Sequence, residues 1–225
     1  MSSVKKRFEA VAEEYDETVQ LKIPYYADLI KALINSIPFN KEYEFKVLDL
    51  GCGTGNISKF IKETFPNSYL TCLDLSEKMI EMAKIKLKDY DNIEFLNNDF
   101  QNIDYKNEFD MIVSSLAIHH IEKDEGKKKL YSKIFESLKE NGAFYNGDVV
   151  LSSTEFGINK NNEIYKELIS KKLSKEKVNE LIENTNNVDY PVKLLDQLKW
   201  FEEIGFRNVD ITWKLYGVAV YGGFK

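Results

Sequence analysis

The chain has 225 residues, 43% hydrophobic and 30% charged, with a formal net charge of −6. That is ordinary for a soluble globular protein and long enough for one α/β domain with an insertion. The acidic balance, with arginine only at positions 7 and 207, disfavours direct nucleic-acid binding.

No stretch approaches the roughly 20 apolar residues of a membrane span, and the N-terminus lacks an apolar run of signal-peptide length. A cytoplasmic protein without a membrane partner is expected. Cys52 and Cys72 make no disulfide framework and suit a reducing compartment. The two histidines are adjacent and no Cys-x-x-Cys occurs, so no metal site is expected.

Val4, Phe8, Val11 and Tyr15 recur at helical spacing, predicting an amphipathic helix that ends at Tyr15-Asp16. Pro24 suits the first turn of a second helix through Leu33 and Ile34, closed by Ser36, Pro38 and Asn40. These helices, residues 1–40, precede the first strand. They either cover a ligand or simply pack on the sheet.

Residues 46–56 read KVLDLGCGTGN. Val47, Leu48 and Leu50 make a buried strand, Gly51, Gly53 and Gly55 a turn, and Thr54 or Asn56 a cap for a helix with Ile57, Phe60 and Ile61 inward. Such a turn lets a ligand lie against backbone at a helix N-terminus. The dinucleotide fingerprint needs G-x-G-x-x-G and a P-loop needs Gly-Lys-Ser/Thr, and neither occurs.

A helix over 56–65 stops before Pro66. Ser68 to Leu75 is a second strand ending near Asp74, and Ser76 caps the helix that follows. Right-handed crossover brings Asp74 beside the glycine turn. Asn92–Leu96 and Phe109–Ser114 are the third and fourth strands, the latter running into Ser115-Leu116-Ala117-Ile118-His119-His120. A helix over 127–139 turns at Asn141-Gly142 into a fifth strand, Ala143 to Val150. Residues 152–188 are polar with sparse apolar positions, either a helical lid or a solvated excursion. A helix over 192–204 ends at Gly205. Two short segments then form an antiparallel pair, turning near Thr212-Trp213.

VLDLGCGTGN, LDLS at 73–76, NNDF at 97–100, IVSSLAIHHI at 112–121 and EEIGF at 202–206 follow the order of class I S-adenosylmethionine-dependent methyltransferases, which the chain resembles over nearly its whole length. Within that family it resembles a branch of small bacterial and archaeal enzymes. The resemblance implies an α/β three-layer sandwich. Its sheet is seven-stranded, Rossmann-like and mostly parallel, with the last strand antiparallel. N-terminal helices and a helical insertion after strand five complete a single domain, 1–225.

The family cofactor is S-adenosyl-L-methionine, leaving as S-adenosyl-L-homocysteine. The positions matching its site are Tyr26, Asp49, Gly51, Cys52, Gly53, Asp74, Leu75, Met79, Asp99, Phe100 and Ser115. Asp74 would take both ribose hydroxyls, Asp99 the adenine amino group, and Phe100 the ring face. His119 or His120 is a candidate general base near the substrate opening, although either can simply pack. Tyr15, His120, Trp213 and Tyr216 are candidates for the substrate pocket. The expected reaction is methyl transfer to a small-molecule acceptor by a monomer or homodimer. A cofactor-binding protein without catalysis is the alternative of a different class.

The layout also resembles the carboxy-S-adenosylmethionine synthases that serve tRNA wobble-uridine modification. Those hold an extra carboxylate with an arginine in the inserted region. The matching position here is near Asn179, with only Lys175 and Lys177 close by. Lacking a planar charged donor, the chain is expected to transfer methyl and not to use prephenate.

Overall fold

A computed structural model describes residues 3–225, and their side chains except those of residues 3 and 184–188. The described residues form a seven-stranded sheet of order β3-β2-β1-β4-β5-β7-β6. The strands are β1 (Lys46–Leu50), β2 (Tyr69–Asp74), β3 (Ile93–Asn97), β4 (Phe109–Ser115), β5 (Leu138–Val149), β6 (Arg207–Leu215) and β7 (Val218–Phe224). The first five run parallel, and β7 lies antiparallel between β5 and β6. Strand order reverses between β1 and β4, opening a crevice at their carboxyl ends.

The pleat sorts the core. Val47, Met111, Val113 and Tyr145 face one apolar cluster, while Leu48, Ile112 and Phe144 face the other. A parallel sheet buried on both faces needs apolar residues at successive positions, and these strands have them. On the first face lie α3 (Tyr26–Asn35), α4 (Asn56–Thr64) and α5 (Glu77–Lys86). On the second lie α6 (Asp124–Ser137) and α9 (Leu194–Ile204). After β5 come α7 (Glu155–Ser170) and α8 (Lys175–Val188), an antiparallel-type pair with its own small cluster of Ile169, Val178 and Leu181.

Four boundaries differ from expectation. Tyr15-Asp16 does not end the first helix. That helix, α1 (Ser3–Val11), gives way to a 3-10 turn, and Tyr15 starts α2 (Tyr15–Lys22). Pro24 lies before α3 rather than inside it, and Tyr25 enters α3 in the left-handed region at φ 61°. Leu138 already pairs with Phe109, and Lys139–Gly142 bulge out before Ala143 meets Met111. So α6 stops at Ser137, and the Asn-Gly pair forms a bulge inside β5 instead of the helix stop. The β6–β7 hairpin turns at Tyr216-Gly217, not at Thr212-Trp213, with Tyr216 at φ 51°.

Candidate active site

The glycine turn closes over the carboxyl end of β1. Gly51 and Cys52 donate backbone N–H bonds to Leu73 O at 2.8 and 3.0 Å. Gly51 sits at φ 74°, and a Cβ there would stand 2.6 Å from Ala117 Cβ. Only glycine permits both that conformation and that approach. Asp74 braces the turn from β2: one carboxylate oxygen accepts Gly53 N–H at 2.9 Å, the other Ser76 N–H at 2.8 Å. Ser76 caps α5 as expected, accepting Met79 N–H at 3.3 Å.

Asp49 lies one pleat below, 1% exposed. Its Oδ2 accepts the Ser58 hydroxyl at 2.6 Å, and Oδ1 has no partner among the described residues. Burial pushes its pKa up to about 7, with the Ser58 bond opposing. A buried carboxylate oxygen left over beside a glycine cradle fits a ligand that brings a positive charge and lies along backbone. S-adenosylmethionine, with its amino group and sulfonium, is such a ligand. Tyr26, Asp49, Gly51, Cys52, Gly53 and Ser115 line this narrow cleft together with Tyr15 and Leu116. Asp74, Leu75, Met79, Asp99 and Phe100 stand outside that lining. Phe100 flanks Gly51, Asp99 accepts Gln101 N–H at 2.9 Å, and Met79 is buried beneath α5.

The expected caps of α4 do other work. Gly55 is its N-cap, without a side-chain bond. Thr54 Oγ1 and Asn56 Nδ2 both donate to Asp16 Oδ1, at 2.6 and 2.9 Å, and Lys86 Nζ donates to Asp16 Oδ2 at 2.6 Å. These bonds tie α2 to the glycine turn and to α5. Burial opposes ionisation of Asp16, but the Lys86, Thr54 and Asn56 bonds outweigh it and hold the pKa below its usual value.

Beyond Tyr15 and Leu116 opens a cavity of about 750 Å³. Those two residues line both spaces and so form the wall between them. Leu116 sits at φ 51°, a costly conformation for a γ-branched residue. The cavity is walled by α1, α2, α7, α8, the end of β5 and the β6–β7 turn.

Both histidines line it, in a buried 3-10 turn after β4. His119 Nδ1 is 2.5 Å from Asp148 Oδ1 on β5, and its backbone N–H donates to Asp148 Oδ2 at 3.1 Å. Asp148 in turn belongs to a buried polar chain. Asn146 Nδ2 donates to Tyr221 OH at 2.8 Å, and Tyr221 and Tyr131 hydroxyls donate to Gln197 Oε1. Burial disfavours the imidazolium of His119, but the charge and hydrogen bond of Asp148 and the charge of Asp189 prevail and raise its pKa. His120 Nδ1 lies 3.1 Å from Asp189 Oδ1, edge-on to Phe8.

Arg7 Nη1 reaches the same Asp189 oxygen at 3.5 Å. Burial would raise the Asp189 pKa, but the His120 hydrogen bond and the charges of His119, His120 and Arg7 hold it below the usual value. The ligand atoms of His119, His120 and Asp189 lie within 4.8 Å of one another, a spacing that suits a metal ion. Asp189 joins the two histidines from just beyond the insertion, a meeting unseen by local spacing.

Of the expected pocket residues, Tyr15, His120 and Tyr216 line the cavity and Trp213 does not. A bulge between Ile211 and Trp213 breaks the alternation of β6. Ile211 packs in the second cluster and Trp213 against the first. Asn179 is exposed on α8, away from the cavity. An arginine does line the cavity, but it is Arg7, from the opposite end of the chain. Asp148 was missed too, although an acid inside the apolar run AFYNGDVV signals a buried charge with a partner. Lys22, Lys86 and Asp189 carried no such signal.

Comparison with known proteins agrees with this geometry. A methyltransferase-domain family model matches residues 47–142. A malonyl-[acyl-carrier protein] O-methyltransferase of Ilyobacter polytropus is 30% identical over 139 residues, 62% of this chain. The aligned region is 49% of that enzyme, so this chain matches about half its length. A carboxy-S-adenosyl-L-methionine synthase of Helicobacter pylori is 27% identical over 94% of this chain and 92% of its own. Haemonchus contortus phosphoethanolamine N-methyltransferase 2, solved with S-adenosyl-L-methionine, superposes with a TM-score of 0.69 at 17% identity, covering 94% of this chain and 46% of that one. Among the described residues no helix is long and apolar enough to cross a membrane. With the glycine turn, the acid ending β2 and the antiparallel β7 in place, the chain has the fold of class I S-adenosylmethionine-dependent methyltransferases and, over residues 47–142, matches a methyltransferase domain.

Proposed function

We propose that the protein transfers the methyl group of S-adenosylmethionine to a small-molecule acceptor held in the large cavity. The observation that carries this reading is the shared wall: the cleft at the glycine turn and the cavity holding the His119–Asp148 pair meet at Tyr15 and Leu116. When bound, the cofactor supplies a methyl group already activated on sulfur. The chain must then align the acceptor and remove its proton. His119 Nε2 takes that proton, while Asp148 fixes the Nδ1–H tautomer and stabilises the imidazolium. His120 and Asp189 line the approach.

Asp49, Gly51, Cys52, Gly53, Ser115 and Tyr26 hold the methionine and ribose side of the cofactor, with Asp74 bracing the turn. Leu75, Met79, Asp99 and Phe100 form the adenine side. The N-terminal helices and residues 152–188 act as one cover, since Tyr165 OH on α7 donates to Lys22 O on α2 at 3.1 Å. Buried free Cys52 and Cys72 support a reducing, cytoplasmic setting.

A screen of metabolite extracts with methyl-labelled cofactor tests the reading. Labelled product should form with the parent and fall sharply with His119→Ala, while S-adenosylhomocysteine still binds. No labelled product, or full activity in the variant, overturns it.

One observation favours a second reading. Arg7 in the cavity supplies the planar donor that an extra carboxylate needs, and the synthase relative aligns over almost the whole chain. Incubation with S-adenosylmethionine and prephenate, followed by mass measurement of the cofactor, separates the two: carboxylated cofactor at catalytic turnover selects the synthase reaction.

A further inference from the structure

Two cations of the cavity wall, the half-buried Lys22 and the solvent-exposed Lys166, face no anion that pairs with them among the described residues. Among the described residues Arg7 pairs with Asp189 and His119 with Asp148. Glu163, also in the wall, is taken by Lys160 at 3.0 Å. Lys22 has no ion pair or side-chain hydrogen bond among the described residues, although it is half-buried and lines the cavity. Its position is fixed by its backbone: Lys22 O accepts the Tyr165 hydroxyl, and Ile23 N–H closes α2 on Val19 O at 2.8 Å. Burial and the neighbouring charge of Arg7 depress the Lys22 pKa, against weaker support from Asp189 and Glu180. A half-buried ammonium facing a guanidinium is an unfavourable arrangement until an anion joins it.

The rest of the lining is largely apolar, with Phe8, Val11, Ile23, Val150 and Ile158 around the same space. We propose that the cavity binds an acceptor with an apolar body and a single negatively charged head, a carboxylate, seated between Lys22 and Arg7. Of the two unpaired lysines, Lys166 is open to solvent, so the half-buried Lys22 is the one that calls for a negative charge. Arginine offers the planar fork that matches a carboxylate, and lysine adds a point charge beside it. The apolar body then lies along the wall toward His119 and Leu116, where the cofactor cleft begins. A charged head also explains why cations gather on the cover, α1 and α2, and not on the sheet: the cover grips the ligand it closes over.

This inference rests on the cavity being the acceptor site, and its test is separable from that of methyl transfer. Calorimetry with S-adenosylhomocysteine alone reports the cofactor cleft. With the cofactor product saturating, octanoate, octanol and octylamine, which share one chain length and differ in head group, report the cavity. Octanoate should bind at least tenfold more tightly than either of the others. In Lys22→Gln and Lys22→Met the preference should fall below threefold, with octanol affinity changed less than twofold. Equal or tighter binding of octylamine or octanol overturns the proposal. So does failure of octanoate to bind, or a tenfold preference surviving in both variants.

Discussion

Asp148 grips His119 twice: Oδ1 lies 2.5 Å from the ring Nδ1 and Oδ2 accepts the backbone N–H at 3.1 Å. The carboxylate thus fixes tautomer, ring plane and turn together. It also raises the pKa of His119 despite burial. A base must be unprotonated, so kcat/KM should climb with pH through an inflection above the ordinary histidine value of about 6.5. Asp148→Asn should move that inflection down and cost about 10²–10⁴-fold in kcat. A pH–rate profile of parent and variant measures both, and an unmoved inflection would count against the pair. The folded pKa is the higher one. The stability this pair contributes is therefore full below the unfolded histidine value and is lost as pH rises through the raised one.

Asp49→Asn should separate stability from binding. Burial raises the Asp49 pKa from 3.8 to about 7. Its contribution to folding is fully present below the unfolded value and is lost as pH climbs toward 7. Above that, ionising a buried acid costs on the order of 4 kcal/mol. The variant without cofactor should therefore be more stable than the parent at pH 8 and similar at pH 4. Its affinity for S-adenosylmethionine should drop at least tenfold. Urea denaturation at the two pH values checks the first half and calorimetry the second.

Asp74→Ala should damage the turn as well as the ligand site. It leaves the amides of Gly53 and Ser76 without their acceptor, a loss of about 1–3 kcal/mol for a buried group. Denaturation midpoints and S-adenosylhomocysteine affinity should fall together. Asp74→Asn, which keeps one acceptor oxygen, should lie between. A variant as stable and as tight-binding as the parent would remove Asp74 from both roles.

The Asp16–Lys86 contact should govern the N-terminal cover. Asp16→Asn and Lys86→Met each remove an ion pair at 2.6 Å. Amide exchange across residues 3–22 should quicken while the sheet exchanges as before. Asp16 is held below its usual pKa, so the contact persists above the unfolded value and is lost as pH falls through the folded one. Acidification of the parent should reproduce the exchange pattern of Asp16→Asn.

The sheet was legible because its signals are local. The apolar runs in IVSS and AFYNGDVV, the glycine spacing and the Ser76 cap each act within a few residues. What escaped depends on distant encounters. Thr54 and Asn56 look like caps until Asp16 arrives to claim them. Trp213 looks inward by period two until a bulge turns it over. Asn179 in the insertion stands exposed, while Arg7 reaches the cavity from α1, more than a hundred residues away in sequence. Asp189 met the histidines in the same way, across about seventy residues of chain.

The wall of Tyr15 and Leu116 divides the molecule by origin as well as by space. Behind it, the cleft is built chiefly from turns of the sheet: Asp49, the glycines and Ser115. In front, Arg7, Lys22, Tyr165 and Asp189 all belong to pieces spliced before β1 or after β5. Under the proposed function, donor chemistry and acceptor choice therefore sit largely on different stretches of polypeptide. Grafting a different pair of helical pieces onto the same strands would leave the donor cleft standing and hand it a new clientele.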